Sequence, residues 1–172
     1  VITASCAMKL ELASGRNDRI VWISGMRNIL VGTEASEWML PYDIDPTKQT
    51  ASMLSSYGSE RIQAAALHSG VIFIQRGRRL REHIFDGNAS DSIDLSFSAD
   101  HLLTGGVRQL VCKRSGDPMV LCLLENGKLA VLTYDRRYDM QGWARWETLG
   151  EILSISTLDC PEGQHLYAVV RR

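Results

Sequence analysis

The sequence predicts an all-β chain. Three observations carry that expectation: short apolar runs recur along its length, Gly, Asp, Asn and Ser punctuate them, and helical periodicity is nearly absent. The one helix-like stretch, "SERIQAAALHSG" at 59–70, also alternates Ile62, Ala64 and Ala66 with Gln63, Ala65 and Leu67, and is read as a strand.

Taken in order, the runs form units. Ile20 to Ser24 is a first strand; Leu30-Val31-Gly32 follows across "GMRN", and Trp38 to Leu40 follows across "TEAS". The second unit runs Ile62 to Leu67, then Val71 to Ile74, then Leu80 to Phe85 beyond "QRGRR", and closes on "SIDLSFS" at 92–98. The third runs Val107 to Cys112, Val120 to Leu124, Leu129 to Tyr134 beyond "ENGK", and "WARWETL" at 143–149. A fourth begins with Ile152 to Leu158 and Leu166 to Val170. The anchors Leu30, Ile72, Leu121 and Tyr167 are 42, 49 and 46 residues apart.

A period in the forties with three or four short strands per unit is the signature of a β-propeller. Each small sheet buries its faces only by stacking on its neighbours. The expected organisation is one propeller-like domain over 1–172, with meander units at about 14–57, 58–100, 101–149 and 150–172. The run at 6–13 is a candidate closing strand for the last unit; otherwise the propeller is open or partial. A β-sandwich is the alternative architecture. Trp22, Trp38, Trp143 and Trp146 are assigned to packing between blades, as large apolar plates.

Composition narrows the function. The chain has 172 residues, 45% hydrophobic and 23% charged, with a formal net charge of −1. No global field draws it to nucleic acid or to an anionic membrane. No apolar stretch approaches the roughly 20 residues that span a bilayer, and the first residues do not read as a signal peptide. The first residue is Val, which reads as a piece of a longer protein. Cys6, Cys112, Cys122 and Cys160 form no C-x-x-C pair and are expected as reduced thiols.

Catalytic and phosphate-loop motifs are missing from the sequence, so no catalytic residue, metal ligand or cofactor is assigned. His68, His83, His101 and His165 are scattered at turns and strand ends. The loop at 86–94 offers Asp86, Asn88, Ser90 and Asp94, but Asp91 and Phe97 stand where an EF-hand needs Gly and Glu. The sharpest charge feature is "QRGRRLREH" at 75–83, where Arg76, Arg78, Arg79 and Arg81 are candidates for phosphate or partner contact. The competing reading is a solvated hairpin edge.

The order of segments carries a resemblance. "RIVWISGMRNILVGTEASEWML" is followed by "SSYGSERIQAAALHSGVIFIQRGRRLREHIFD", "DLSFSADHLL", "VLCLLENGKLAVLTYDRRYDMQGWARWETLGEILSIS" and "HLYAVVRR". From about residue 19 to residue 172 this resembles the tail nozzle proteins (tail tubular protein B) of short-tailed bacteriophages and prophages. The resemblance implies a virion structural component made in the bacterial host cytoplasm. It implies assembly into a ring that continues the DNA-exit channel, with other tail, adaptor or fibre proteins as partners and self-association. Full-length members are several times longer, so ring and channel are not assigned to these residues. The family implies no catalytic residues.

Two other classes stay open on the sequence. A carbohydrate-binding or glycan-cleaving propeller would use the Trp residues to stack on sugars and Asp135 and Asp139 as paired carboxylates, although the Asp-box repeat is absent. DNA contact through the 76–81 arginines would fall steeply as salt rises.

Overall fold

The computed structural model describes residues 11–12, 15, 18–26, 28–40, 51–68, 70–86 and 89–172. It is all-β: four antiparallel sheets succeed one another along the chain in an open, propeller-like arrangement. The first sheet is β1 (Ile20–Gly25), β2 (Ile29–Thr33), β3 (Glu37–Leu40) and β4 (Ser52–Ser55). The second is β5 (Ala65–Leu67), β6 (Gly70–Gln75), β7 (Arg79–Asp86) and β8 (Ala89–Asp94). A short helix, α1 (Asp100–Leu103), leads into the third: β9 (Val107–Lys113), β10 (Met119–Leu124), β11 (Leu129–Asp135) and β12 (Met140–Trp146). The fourth is a hairpin, β13 (Glu151–Cys160) and β14 (Gly163–Arg171). Within each sheet the strands pair in chain order. Four separate sheets rule out the two-layer sandwich.

Strand alternation builds the stack. In β6, Val71 and Phe73 join Trp22 and Leu30 of the first sheet in one apolar cluster, while Ile72 and Ile74 join Leu110, Val120 and Leu132 of the third. Successive side chains point to opposite faces, so a strand with a neighbour on both sides reads as an unbroken apolar run. β10 repeats the device: Val120 and Cys122 face the second sheet, Leu121 and Leu123 face the hairpin through Ile152 and Ile155. Each such fully buried side chain is worth about 1.5–3 kcal/mol.

Two glycines mark where a side chain crosses the sheet. A Cβ on Gly32 would sit 2.1 Å from Cε2 of Trp22, so only glycine lets the indole lie across β2 toward Phe73, whose ring centroid is 5.7 Å away. A Cβ on Gly70 would sit 2.4 Å from Oε1 of Glu82, which lies buried on the facing strand.

Some expectations change. The first sheet has a fourth strand, Ser52–Ser55, that the sequence did not announce. The outer strand of the second sheet is Ala89–Asp94 rather than 92–98, because Leu95 and Ser96 turn the chain into a 3-10 turn and α1. The outer strand of the third begins at Met140 and ends at Trp146 rather than spanning 143–149. The closing strand expected at 6–13 lies outside the described residues apart from Glu11 and Leu12, which are not in a strand. Cys112, Cys122 and Cys160 carry free thiols, and Cys6 lies outside the described residues.

Candidate functional site

The site with the most available chemistry is the open side of the fourth sheet. β13 and β14 are joined by the two-residue turn Pro161-Glu162, proline being suited to the first turn position. A bulge between Ile152 and Ser154 lets Ile152 and Ile155, three residues apart, both face the third sheet. Gln109 fixes the hairpin there, donating from Nε2 to the Ile155 carbonyl at 2.7 Å and accepting from its N–H at 3.0 Å. Arg108 Nη2 adds a bond to the Ile152 carbonyl at 2.8 Å.

No strand among the described residues pairs the outer edge of β14. From Tyr167 onward its side chains stand in solvent, with Tyr167 50% and Val169 58% exposed. At the turn end of the hairpin a cleft of about 370 Å³ opens between Met119 and Leu121 of β10, Trp146 of β12 and Leu166 of β14, with Lys113, Glu162 and His165 also lining it. The recess combines apolar walls with polar side chains, which is the make-up of a binding cleft.

The four tryptophans divide. Trp22 lies between the first and second sheets. Trp143 packs against the cluster between the second and third sheets, and its Nε1 donates to the Leu95 carbonyl at 3.1 Å. Trp38 is buried within the first sheet and donates to Ser36 Oγ at 2.8 Å. Trp146 differs from the packing role expected of it: it is 42% exposed at the cleft. Trp143 and Trp146 are three positions apart in one strand, so they face opposite ways.

The arginine hairpin is engaged with the chain's own groups. Arg78 pairs with Asp100 at 2.8 Å and Arg79 with Asp94 at 2.7 Å. Arg81 bonds Gln75 Oε1 at 2.5 Å and lies 3.6 Å from the centre of the Tyr57 ring. Arg76, exposed at a left-handed φ of 45°, is the one of the four with no such bond. Burial pushes the Asp94 carboxyl up, but bonds from Ser96 and Arg79 outweigh that and hold it below the ordinary range. Asp94 is therefore committed to this corner, and the described residues contain no group of three or more His, Cys, Asp or Glu that could hold a metal ion.

Sequence reasoning passed over two buried polar junctions. Glu37 and Glu82 are both buried, and burial raises both carboxyls above the usual range. Glu37 accepts from Ser55 Oγ at 2.5 Å and from Ser59 Oγ at 2.8 Å, and Ser55 Oγ lies 3.2 Å from His83 Nε2 of the second sheet. Ser, His and Glu here do not form a nucleophile relay, because Glu37 takes the serine hydroxyl directly and His83 is buried. Glu82 accepts from the Tyr134 hydroxyl of the third sheet at 2.6 Å. Both contacts fasten one sheet to the next. The available signal was "Glu82-His83" inside a strand, which must send one polar side chain to each face.

Asp135 serves the turn after β11. Its carboxylate accepts from Arg137 N–H at 2.9 Å and pairs with the Arg137 guanidinium at 2.9 Å, which holds it below the ordinary range. Asp139 takes a left-handed conformation at the end of that turn. A low, arginine-bound carboxylate is unsuited to the general-acid role in glycoside cleavage.

Comparison with protein-family models and with curated proteins finds no match to this chain.

Proposed function

We propose that this chain is a structural component of a bacteriophage tail, of the nozzle and tube-platform kind, working through protein–protein contacts in the DNA-ejection machinery rather than as an enzyme. The observation that supports this most is the stack of four successive sheets with an apolar cluster at each of its three junctions, a rigid body of the kind a platform requires. On this reading the chain resides in the virion, and its partners are other tail, adaptor or fibre proteins and further copies of itself. The test is mass spectrometry of particles purified after prophage induction, with the tryptic peptide from Ile20 to Arg27 as marker. The peptide should co-purify with portal and capsid proteins at fixed stoichiometry; particles that form without it refute the assignment.

A second reading, carbohydrate binding, is favoured by one observation, the exposed Trp146 beside Lys113, Glu162 and His165. It predicts a saturable glycan affinity that Trp146→Ala abolishes.

A further inference from the structure

We propose that Asn126-Gly127 is a site of covalent self-modification, succinimide formation followed by hydrolysis to isoaspartate, and that docking of the β13–β14 hairpin holds the reaction off. Once formed, the isoaspartyl link keeps the hairpin from docking again. The turn between β10 and β11 thus keeps a permanent record that the seam between the third and fourth sheets has opened.

The dipeptide is chemically singular in this chain. Of Asn17, Asn28, Asn88 and Asn126, only Asn126 precedes a glycine. The following residue governs the rate, because the attacking group is its backbone nitrogen and any side chain there hinders the approach. Asn28 is followed by the β-branched Ile29, Asn17 by Asp18 and Asn88 by Ala89. Asn126 is also exposed, within reach of water and hydroxide.

The chemistry balances with water as the sole co-reactant. The Gly127 nitrogen gives its proton to hydroxide and attacks Asn126 Cγ. A C–N bond forms, the bond from Cγ to the side-chain nitrogen breaks, and ammonia leaves. Water then opens the five-membered ring. Opening at Cγ gives aspartate; opening at the main-chain carbonyl gives isoaspartate, whose backbone runs through the side chain and is one carbon longer.

The fold opposes the first step. Gly127 N–H donates to the Leu124 carbonyl at 3.0 Å, so the nucleophile's proton is engaged, and Asn126 Oδ1 accepts from Lys128 N–H at 3.1 Å, which fixes the carboxamide. The fourth sheet closes over this turn. Ile152 N–H donates to the Gly127 carbonyl at 3.0 Å, and a Cβ on Gly127 would lie 2.4 Å from Glu151 Cγ. Gly127 is buried although its neighbour Asn126 is exposed. With Glu151 and Ile152 seated on Gly127, the turn has no slack to rearrange into the ring. The same fit makes the product incompatible with docking: with one more carbon between residues 126 and 127, Gly127 cannot meet Leu124 and Ile152 together.

The test incubates the 172-residue chain at mildly alkaline pH, folded and in urea, and follows the tryptic peptide Ser115–Lys128, whose one side-chain amide is Asn126. The readouts are the mass gain of amide-to-acid conversion and labelling by an isoaspartyl methyltransferase. Opening the turn breaks two backbone hydrogen bonds, so conversion should be at least about tenfold faster in urea. Gln109→Ala, which removes the bonds to Ile155, should speed conversion in the folded chain. After conversion, the Ile152 amide should exchange rapidly in the isoaspartyl fraction. It should stay protected in Asn126→Asp, which has the charge of the aspartyl product and a backbone of normal length. Equal rates with and without urea, no isoaspartate in urea, a folded Gln109→Ala chain that converts at the parent rate, an isoaspartyl fraction that keeps Ile152 protected, or loss of that protection in Asn126→Asp would each overturn the proposal. If Gln109→Ala does not fold, the parent chain and Asn126→Asp carry the test. No virus particle enters these measurements, so their outcome is separate from that of the virion assignment.

Discussion

Glu82 and His83 are adjacent in one strand and serve two different junctions: Glu82 accepts from the Tyr134 hydroxyl of the third sheet at 2.6 Å, and His83 Nε2 lies 3.2 Å from Ser55 Oγ of the first. The pleat of β7 sends the two side chains to opposite faces. A single strand thus fastens the second sheet to both neighbours through buried polar groups, while the apolar residues around them supply the bulk of the cohesion.

That arrangement fixes a pH dependence. Burial raises the Glu37 and Glu82 carboxyls in the folded chain above their ordinary value of 4.5. The folded state therefore holds more protons than the unfolded one in the window that opens above 4.5, and this contribution to stability is full below it and is lost as pH rises through the folded values. Asp94 and Asp135, held low, contribute in the opposite sense at more acidic pH. Urea denaturation across pH 4 to 7 should show a smaller fall in stability with rising pH for Glu82→Gln than for the parent. An unchanged slope in Glu82→Gln and in Glu37→Gln would contradict the burial of these carboxyls.

Gly32 should be intolerant of even one added carbon. Its missing Cβ leaves the room that the Trp22 indole occupies. Gly32→Ala is expected to destabilise the chain by about 1–3 kcal/mol, as overpacking does. The loss should be smaller when Trp22→Leu is already present, because the two sites share one space. Additive losses in the double-mutant cycle would show that the contact is not what limits position 32.

The arginine hairpin should matter little. Arg79→Ala frees Asp94 and should cost under about 1 kcal/mol, the range of partly exposed ion pairs. Arg76→Ala, at an unbonded turn position, should leave the denaturation midpoint in place. Neither substitution should change retention of the chain on immobilised DNA at physiological salt. Retention that is lost with Arg76 and falls steeply with salt would restore the phosphate reading.

The cysteines should separate by reactivity. In a Cys6→Ser background, Cys160, half-buried on β13, should react with a thiol reagent in the folded chain. Cys112, whose thiol burial pushes up to about 12, and Cys122, pushed up further by complete burial, should react only after denaturation. Three equally fast thiols would mean that the seam between the second and third sheets is not closed.

The apolar strands were legible because burial on two faces writes itself as a continuous run: Val71 to Ile74 and Val120 to Leu124 could hardly be anything else. Outer strands were not. Ser52–Ser55 buries little, so nothing in "SMLS" separates it from a loop, and Ala89–Asp94 is polar because it lies at an edge. The arginine hairpin was ambiguous for a different reason. Asp94 and Asp100 are distant in sequence and meet Arg79 and Arg78 only through the sheet register and the turn beyond β8. The opposite facing of Trp143 and Trp146 was legible in principle, since an odd separation within a strand reverses the side. Which of the two faces is covered depends on the neighbouring sheets, and only the structure supplies that.

The measurement that tests the account most directly is hydrogen exchange of the isolated chain and of purified particles. Amides of β6 and β10, each buried between two sheets, should exchange slowly in both. At least one surface segment that exchanges quickly in the isolated chain should become strongly protected in particles. Rapid exchange of β6 and β10 in the isolated chain, or particles that contain the protein with no segment newly protected, would contradict the claim that this stack of sheets works through protein–protein contacts.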